Sequence, residues 1–155
     1  MSADKRIDEL NLQLPPAPKP GGVYQPVLVC GNMAYVSGHG PLRDDESYIT
    51  GRVGEPMDTE AAKAAARQTG LAILASLRAK FGSLDRVERL VKSFGMVNAT
   101  PDFGQHPQVI NGYSELMADV FGPEKGLGSR SAVGMGSLPN NIAVEIEAVF
   151  EIRPE

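Results

Sequence analysis

A chain of 155 residues with 42% hydrophobic and 22% charged residues holds enough apolar material for one ordinary domain, which excludes disorder over most of its length. Its formal charge of −4 lacks the broad positive field that non-specific nucleic-acid binding needs, so nucleic acid is not an expected partner. A single cysteine excludes an intramolecular disulfide and any Cys-rich zinc or iron–sulfur site.

No segment approaches the roughly 20 apolar residues of a membrane span. The N-terminus carries Asp4, Asp8 and Glu9 and has no apolar signal-peptide stretch, so a cytoplasmic location with no membrane partner is expected. Ile7, Leu10 and Leu14 fall at helical spacing and predict a short helix within the first fourteen residues. Pro15 to Gly22 then holds four prolines and two glycines, which cannot propagate a helix. Residues 1–22 read as an arm with a Pro-rich connector, ahead of a domain over 23–155.

Val23–Cys30 and Met33–Ser37 read as strands, and Gly31-Asn32 between them predicts a hairpin. After a polar stretch from Gly38 to Pro56, Asp58 or Thr59 can cap a helix. Ala62, Ala66, Gly70, Ile73, Leu77 and Phe81 form its apolar stripe, and Gly82 suits its C-terminal cap. Val87–Val97 is a third strand. A second helix presents Ile110, Tyr113, Leu116, Met117, Val120 and Phe121, and stops at Gly122-Pro123. Arg130–Met135 and Ala143–Ile152 are the last strands, the latter turning Val144, Ile146, Ala148 and Phe150 inward. The order is ββαβαββ, an α+β domain whose two helices cover one sheet face. The other face, expected to present Val149 beside the small residues Ala132, Gly134 and Gly136, suits burial against another copy of the chain.

The chemistry-bearing pattern lies in the C-terminal segment: Arg130-Ser131, then Leu138-Pro139, then Val144-Glu145-Ile146-Glu147. If the last two strands pair through a Gly136–Asn141 turn, Arg130 and Glu145 share the hairpin's open end. An arginine there can bind a carboxylate bidentately, and a glutamate can hold a water or shuttle a proton. A surface salt bridge is the alternative that spacing alone leaves open. His39, in a Gly-His-Gly-Pro context, is either an acid/base group beside a cleft or a loop histidine bonded to backbone. Cys30 reads as a small buried hydrophobe, and His106 as a loop residue. The acidic triplet Asp44-Asp45-Glu46 lacks the spacing of a metal site, so no metal is expected. The glycines of 122–136 lack a phosphate-loop Gly-Lys-Ser/Thr ending.

Together with Tyr24, Gly31-Asn32, Val36-Ser37-Gly38 and Asn111…Glu115, this segment resembles the Rid (YjgF) family, often labelled endoribonuclease L-PSP, over about residues 23–152. The resemblance implies a chorismate-mutase-like fold, a homotrimer with clefts between subunits, and no cofactor. It also implies hydrolysis of short 2-imino or enamine acids to 2-oxo acids and ammonia. In that frame Arg130 grips the substrate carboxylate, Glu145 positions or activates water, and Tyr24, Ser37 and Asn111 line the substrate site; Gly38 and His39, which follow Ser37, are further substrate-binding candidates. Ala132 stands where archetypes often have Cys, and His39 where they commonly have Gln, which implies a longer, divergent branch. The weighed alternatives are a non-catalytic module that binds small carboxylates such as 2-oxo acids, and a ribonuclease.

Overall fold

The computed structural model describes residues 2–155. The arm opens with helix α1 (Ala3–Glu9), capped by the Ser2 hydroxyl, which accepts from the Lys5 amide. It is shorter than expected: Leu10 is its C-cap, and Asn11 adopts a φ of 52° that no helix continues. The Asp85 carboxylate accepts from the Ala3 amide at 2.7 Å and from the Ser2 hydroxyl. Ala3 and Ile7 thereby join the main core, and the arm is fastened to its own chain.

The hairpin forms as expected from β1 (Val27–Cys30) and β2 (Met33–His39), paired from Val27↔Val36 to Cys30↔Met33. Gly31 supplies the turn with a φ of 62°. The first strand starts four residues later than the sequence pattern suggests. Tyr24 curls back so that its hydroxyl accepts from the Gly21 amide at 3.0 Å, and Pro26 has no amide to give a ladder. Cys30 is exposed, a correction to its expected burial: β1 is an edge strand that buries only Val27.

Helix α2 (Thr59–Phe81) is capped by Asp58, whose side chain accepts from the Ala61 amide, and ends on Gly82 at φ 81°. Strand β3 (Val87–Asn98), helix α3 (His106–Phe121), strand β4 (Ser129–Met135) and strand β5 (Val144–Ile152) complete the chain. His106 is the first residue of α3, not a loop residue. Small residues let α2 and α3 lie close together: a Cβ on Gly112 would run into the Lys63 carbonyl of α2. Against the inner sheet face they bury Ile73, Leu74, Leu77, Leu116, Ile146 and Phe150 completely, each contributing roughly 1.5–3 kcal/mol. The architecture is mixed α+β, a five-stranded sheet with three helices.

Strand order is β1-β2-β5-β3-β4. The helical crossover through α3 brings β4 alongside β3 in parallel, Ser93 facing Arg130. β5 inserts antiparallel between β2 and β3, Met96 facing Glu145. This overturns the expected β4–β5 hairpin: Gly136 to Asn141 is a crossover, not a two-strand turn, and β3 separates Arg130 from Glu145. β4 is also turned the other way from expectation. A Cβ on Gly134 would meet the His106 imidazole of α3, and Ala132 packs on the core, so neither belongs to the open face. That face instead exposes Leu28 opposite Tyr35, at 51% and 46% of their surface, together with Val133.

Candidate functional site

A cleft of about 370 Å³ opens where β2 ends and β5 begins, within the size range of small-molecule sites. Three connecting segments wall it: Pro18–Gly21 of the arm, Tyr48 of the long loop, and the Pro139–Ile142 turn. Tyr24, Gly38 and Glu145, three of the residues expected at the site, line it together.

A β-bulge creates this convergence. Val36 pairs with Ala148 and His39 with Ile146, so Ser37 and Gly38 together oppose the single residue Glu147. Beyond the bulge the inward–outward alternation is inverted. Gly38 is pressed against the Glu145 carboxylate, which occupies the space a Cβ would need. Burial raises the Glu145 carboxyl above the ordinary carboxylate value, and the like charge of Glu147 adds to the shift. A carboxyl displaced in this direction is suited to moving protons near neutral pH.

The same inversion buries His39. Its Nδ1 lies 2.6 Å from the Ser37 carbonyl and its Nε2 2.7 Å from the Ser76 hydroxyl. A carbonyl only accepts, so Nδ1–H donates to it and Nε2 accepts from Ser76. Burial lowers the imidazole pKa against a weaker opposing effect from the Ser37 bond. His39 borders the cleft, and its ring braces β2 against α2; of the two readings the sequence left open, the backbone-bonded histidine is the one seen, in a strand and not in a loop.

Tyr24 accepts a hydrogen bond from Gly21, which leaves its own O–H free to donate into the cleft. Burial first, then the neighbouring Tyr24, raise the Tyr48 hydroxyl pKa. The Ser37 hydroxyl donates to the Gln25 carbonyl at 2.7 Å and opens on an adjoining hollow with Tyr24 and Glu147, beside the cleft but outside it. Sequence reasoning missed Lys19, Tyr48 and Asn140, which line the cleft, and also Asn98 behind it. The buried Asn98 amide donates to Asn141 Oδ1 and to the Ile142 carbonyl at 3.0 and 3.1 Å. It thereby holds the turn in which Asn140 and Asn141 take φ of 54° and 59°. The Pro-Asn-Asn run was the available signal, because asparagine tolerates left-handed backbone.

Arg130 and Asn111 lie elsewhere. On the edge strand β4, Arg130 reaches toward α3, donating to the Ser114 hydroxyl at 2.9 Å and the Pro107 carbonyl at 3.2 Å. Asn111 sits on α3 between those two partners and is half-buried. Partial burial lowers the Arg130 pKa. Within one chain, therefore, the two groups expected to act together occupy opposite faces of the sheet, with β3 between their strands. Among the described residues no three His, Cys, Asp or Glu side chains cluster as metal ligands, and no helix is long and apolar enough to cross a membrane.

Comparison with known proteins places this geometry. The profile of a family described as YjgF/chorismate mutase-like, with an endoribonuclease label, matches residues 4–150; it takes in the arm as well as the segment from 23 onward. Protein TCP17 of Trypanosoma cruzi is 37% identical over 147 residues, covering 95% of this chain and 92% of its own. A 2-iminobutanoate/2-iminopropanoate deaminase of Dermatophagoides farinae is 28% identical over 143 residues, covering 92% and 95%. Among solved structures, a protein of unknown function from Agrobacterium tumefaciens is 40% identical with a TM-score of 0.89, covering 97% of this chain and 92% of its own. A Shewanella oneidensis protein carrying the endoribonuclease label is 25% identical with a TM-score of 0.93, covering 98% and 100%. With the profile spanning nearly every element described above, the chain belongs to the YjgF family, the group that includes the Rid and L-PSP proteins.

Proposed function

We propose that the protein is a hydrolytic deaminase of short 2-imino or enamine acids, producing 2-oxo acids and ammonia in clefts completed by neighbouring copies of a homotrimer. The observation that carries the reading is the Glu145 carboxyl, raised in pKa and pressed over Gly38 in a cleft of small-molecule size. An imine carbon is already electrophilic, so a positioned water and a proton carrier suffice. Glu145 as carboxylate takes a proton from water as its oxygen bonds to the imine carbon and the C=N electron pair moves to nitrogen. Glu145 passes that proton to the nitrogen, giving a carbinolamine. It then takes the carbinolamine hydroxyl proton and delivers it to the amino nitrogen, so the C–N bond breaks and ammonia leaves as the C=O bond forms.

A single chain does not supply the carboxylate grip. Arg130 stands on the far edge strand, and the exposed Leu28, Tyr35 and Val133 give the open face an apolar surface suited to another copy. In a closed trimer each Arg130, with Asn111 beside it, meets the Glu145 cleft of the next subunit, and Tyr24, Ser37 and Gly38 complete the substrate site. The 28% identical deaminase relative supports this chemistry. A net charge of −4 argues against the ribonuclease label, because an RNA backbone needs a cationic groove. The exposed Cys30 thiol fits a reducing compartment such as the cytoplasm.

The test is release of ammonia and 2-oxo acid from imines generated in place by an amino-acid oxidase. The wild type accelerates that release and Arg130→Ala abolishes the acceleration. Equal rates for wild type, variant and buffer overturn the reading; calorimetric binding of 2-oxobutanoate without turnover replaces it with a carboxylate-binding module.

A further inference from the structure

The arm lies beyond the chemistry just described, yet it forms one wall of the same cleft. Its path is constrained at both ends. Pro15 is buried beside Leu12 and Leu14, which pack on the core, and the Gly21 amide is tied to the Tyr24 hydroxyl. Between these anchors Pro16, Pro18 and Pro20 restrict the backbone, so Lys19 is presented from a semi-rigid strap with little ordering cost left to a ligand.

Lys19 is the one cationic side chain lining the cleft among the described residues. It is exposed and takes part in none of the ion pairs those residues form. In a chain with more carboxylates than cations, an ammonium without a protein partner at the mouth of a cleft calls for an anion from outside. The carboxylate next to the C=N bond is already assigned to a neighbouring copy's Arg130, and a substrate with that one carboxylate would leave Lys19 unmatched.

We propose that Lys19 makes the cleft selective for 2-imino and 2-oxo acids that carry a second carboxylate, an inference that rests on the deaminase reading for its first carboxylate. The arm ammonium holds the distal carboxylate as a flexible three-donor cation, and the free Tyr24 O–H faces the same space. Lys19 is a specificity-determining residue here; it touches the far end of the substrate and takes no part in the proton transfers.

Calorimetry of the full chain with 2-oxoglutarate and 2-oxobutanoate as probes tests this, alongside ammonia release from the imines of glutamate and 2-aminobutyrate. The wild type binds 2-oxoglutarate more tightly. Lys19→Met lowers the 2-oxoglutarate-to-2-oxobutanoate affinity ratio about tenfold, the scale of one charged hydrogen bond, and Lys19→Arg retains it. No preference in the wild type, no binding of either acid, or a ratio unchanged in Lys19→Met overturns the proposal. Ammonia release from neither imine, with the preference for 2-oxoglutarate intact, removes the deaminase reading and leaves the assignment of Lys19 standing.

Discussion

The two ends of the sheet are built in opposite ways. At the β2–β5 end, backbone that has left the regular ladder forms a cavity: a bulge at Ser37-Gly38, a strap of prolines, and a turn with two left-handed asparagines. At the β4 edge the ladder is regular, and a lone arginine is tied to the adjacent helix. Under the proposed function, one end has room and a proton-carrying carboxyl but no arginine for the carboxylate beside the C=N bond; the other has that arginine but lies outside the cleft. On that proposal each end is half of a site, and copies associate head to tail around a closed ring to complete it.

Mixing two inactive chains puts that contrast to its hardest test. Arg130→Ala and Glu145→Gln each lose about two to four orders of magnitude alone. Unfolded together and co-refolded, they regain about one quarter of wild-type sites by random pairing around the ring, read as ammonia release. No recovery would overturn the shared site, since one chain keeps the two groups on opposite faces of the sheet. Next in size is Gly38→Ala, whose methyl displaces the Glu145 carboxylate and costs about a hundredfold in kcat/KM; activity within about threefold of wild type would show that the carboxylate need not sit there.

A third test separates the ends by pH. Glu145 acts as carboxylate, so activity rises as pH increases through its raised pKa. Glu147→Gln removes the like charge that contributes to the shift, and the acid limb of the kcat/KM profile moves to lower pH; an unmoved limb means Glu145 does not control it. The smallest effect concerns the brace beneath the cleft. Burial lowers the folded-state pKa of His39 below 6.5, so its contribution to stability is complete above the unfolded value and is lost as pH falls through the folded one. As pH falls from above 6.5 through that lowered value, the melting temperature of the wild type drops in part from this source, and His39→Gln narrows the drop.

Local elements were legible wherever one short segment carried its own signal. Asp58 and Gly82 bracket α2 as expected, and Gly31-Asn32 turns the hairpin, because caps and turns depend on neighbours in sequence. Strand partnership is not local. Nothing between Arg130 and Glu145 reveals that the chain leaving β4 crosses β3 and lays β5 on its far side, so the expected hairpin failed although both strands were found. His39 was ambiguous for a related reason: strict alternation would turn its ring outward with Tyr35 and Ser37, and the bulge reverses it. Tyr24, Gly38 and Glu145 line one cleft, whereas Ser37, Asn111 and Arg130 lie outside it. Lys19, Tyr48 and Asn140 come from connecting segments, where no periodicity marks which side chain turns toward a cavity.

The surplus residue in β2 carries a further consequence. It acts as a parity switch, because every position after it answers to the opposite side of the sheet from every position before it. Removing a single amino acid there would leave the strands able to pair, yet would present an imidazole to solvent and draw the tight glycine contact away from the carboxyl group. A lineage could therefore silence the pocket, or re-equip it with a titrating ring, by changing strand length by one and without altering any residue that does chemistry.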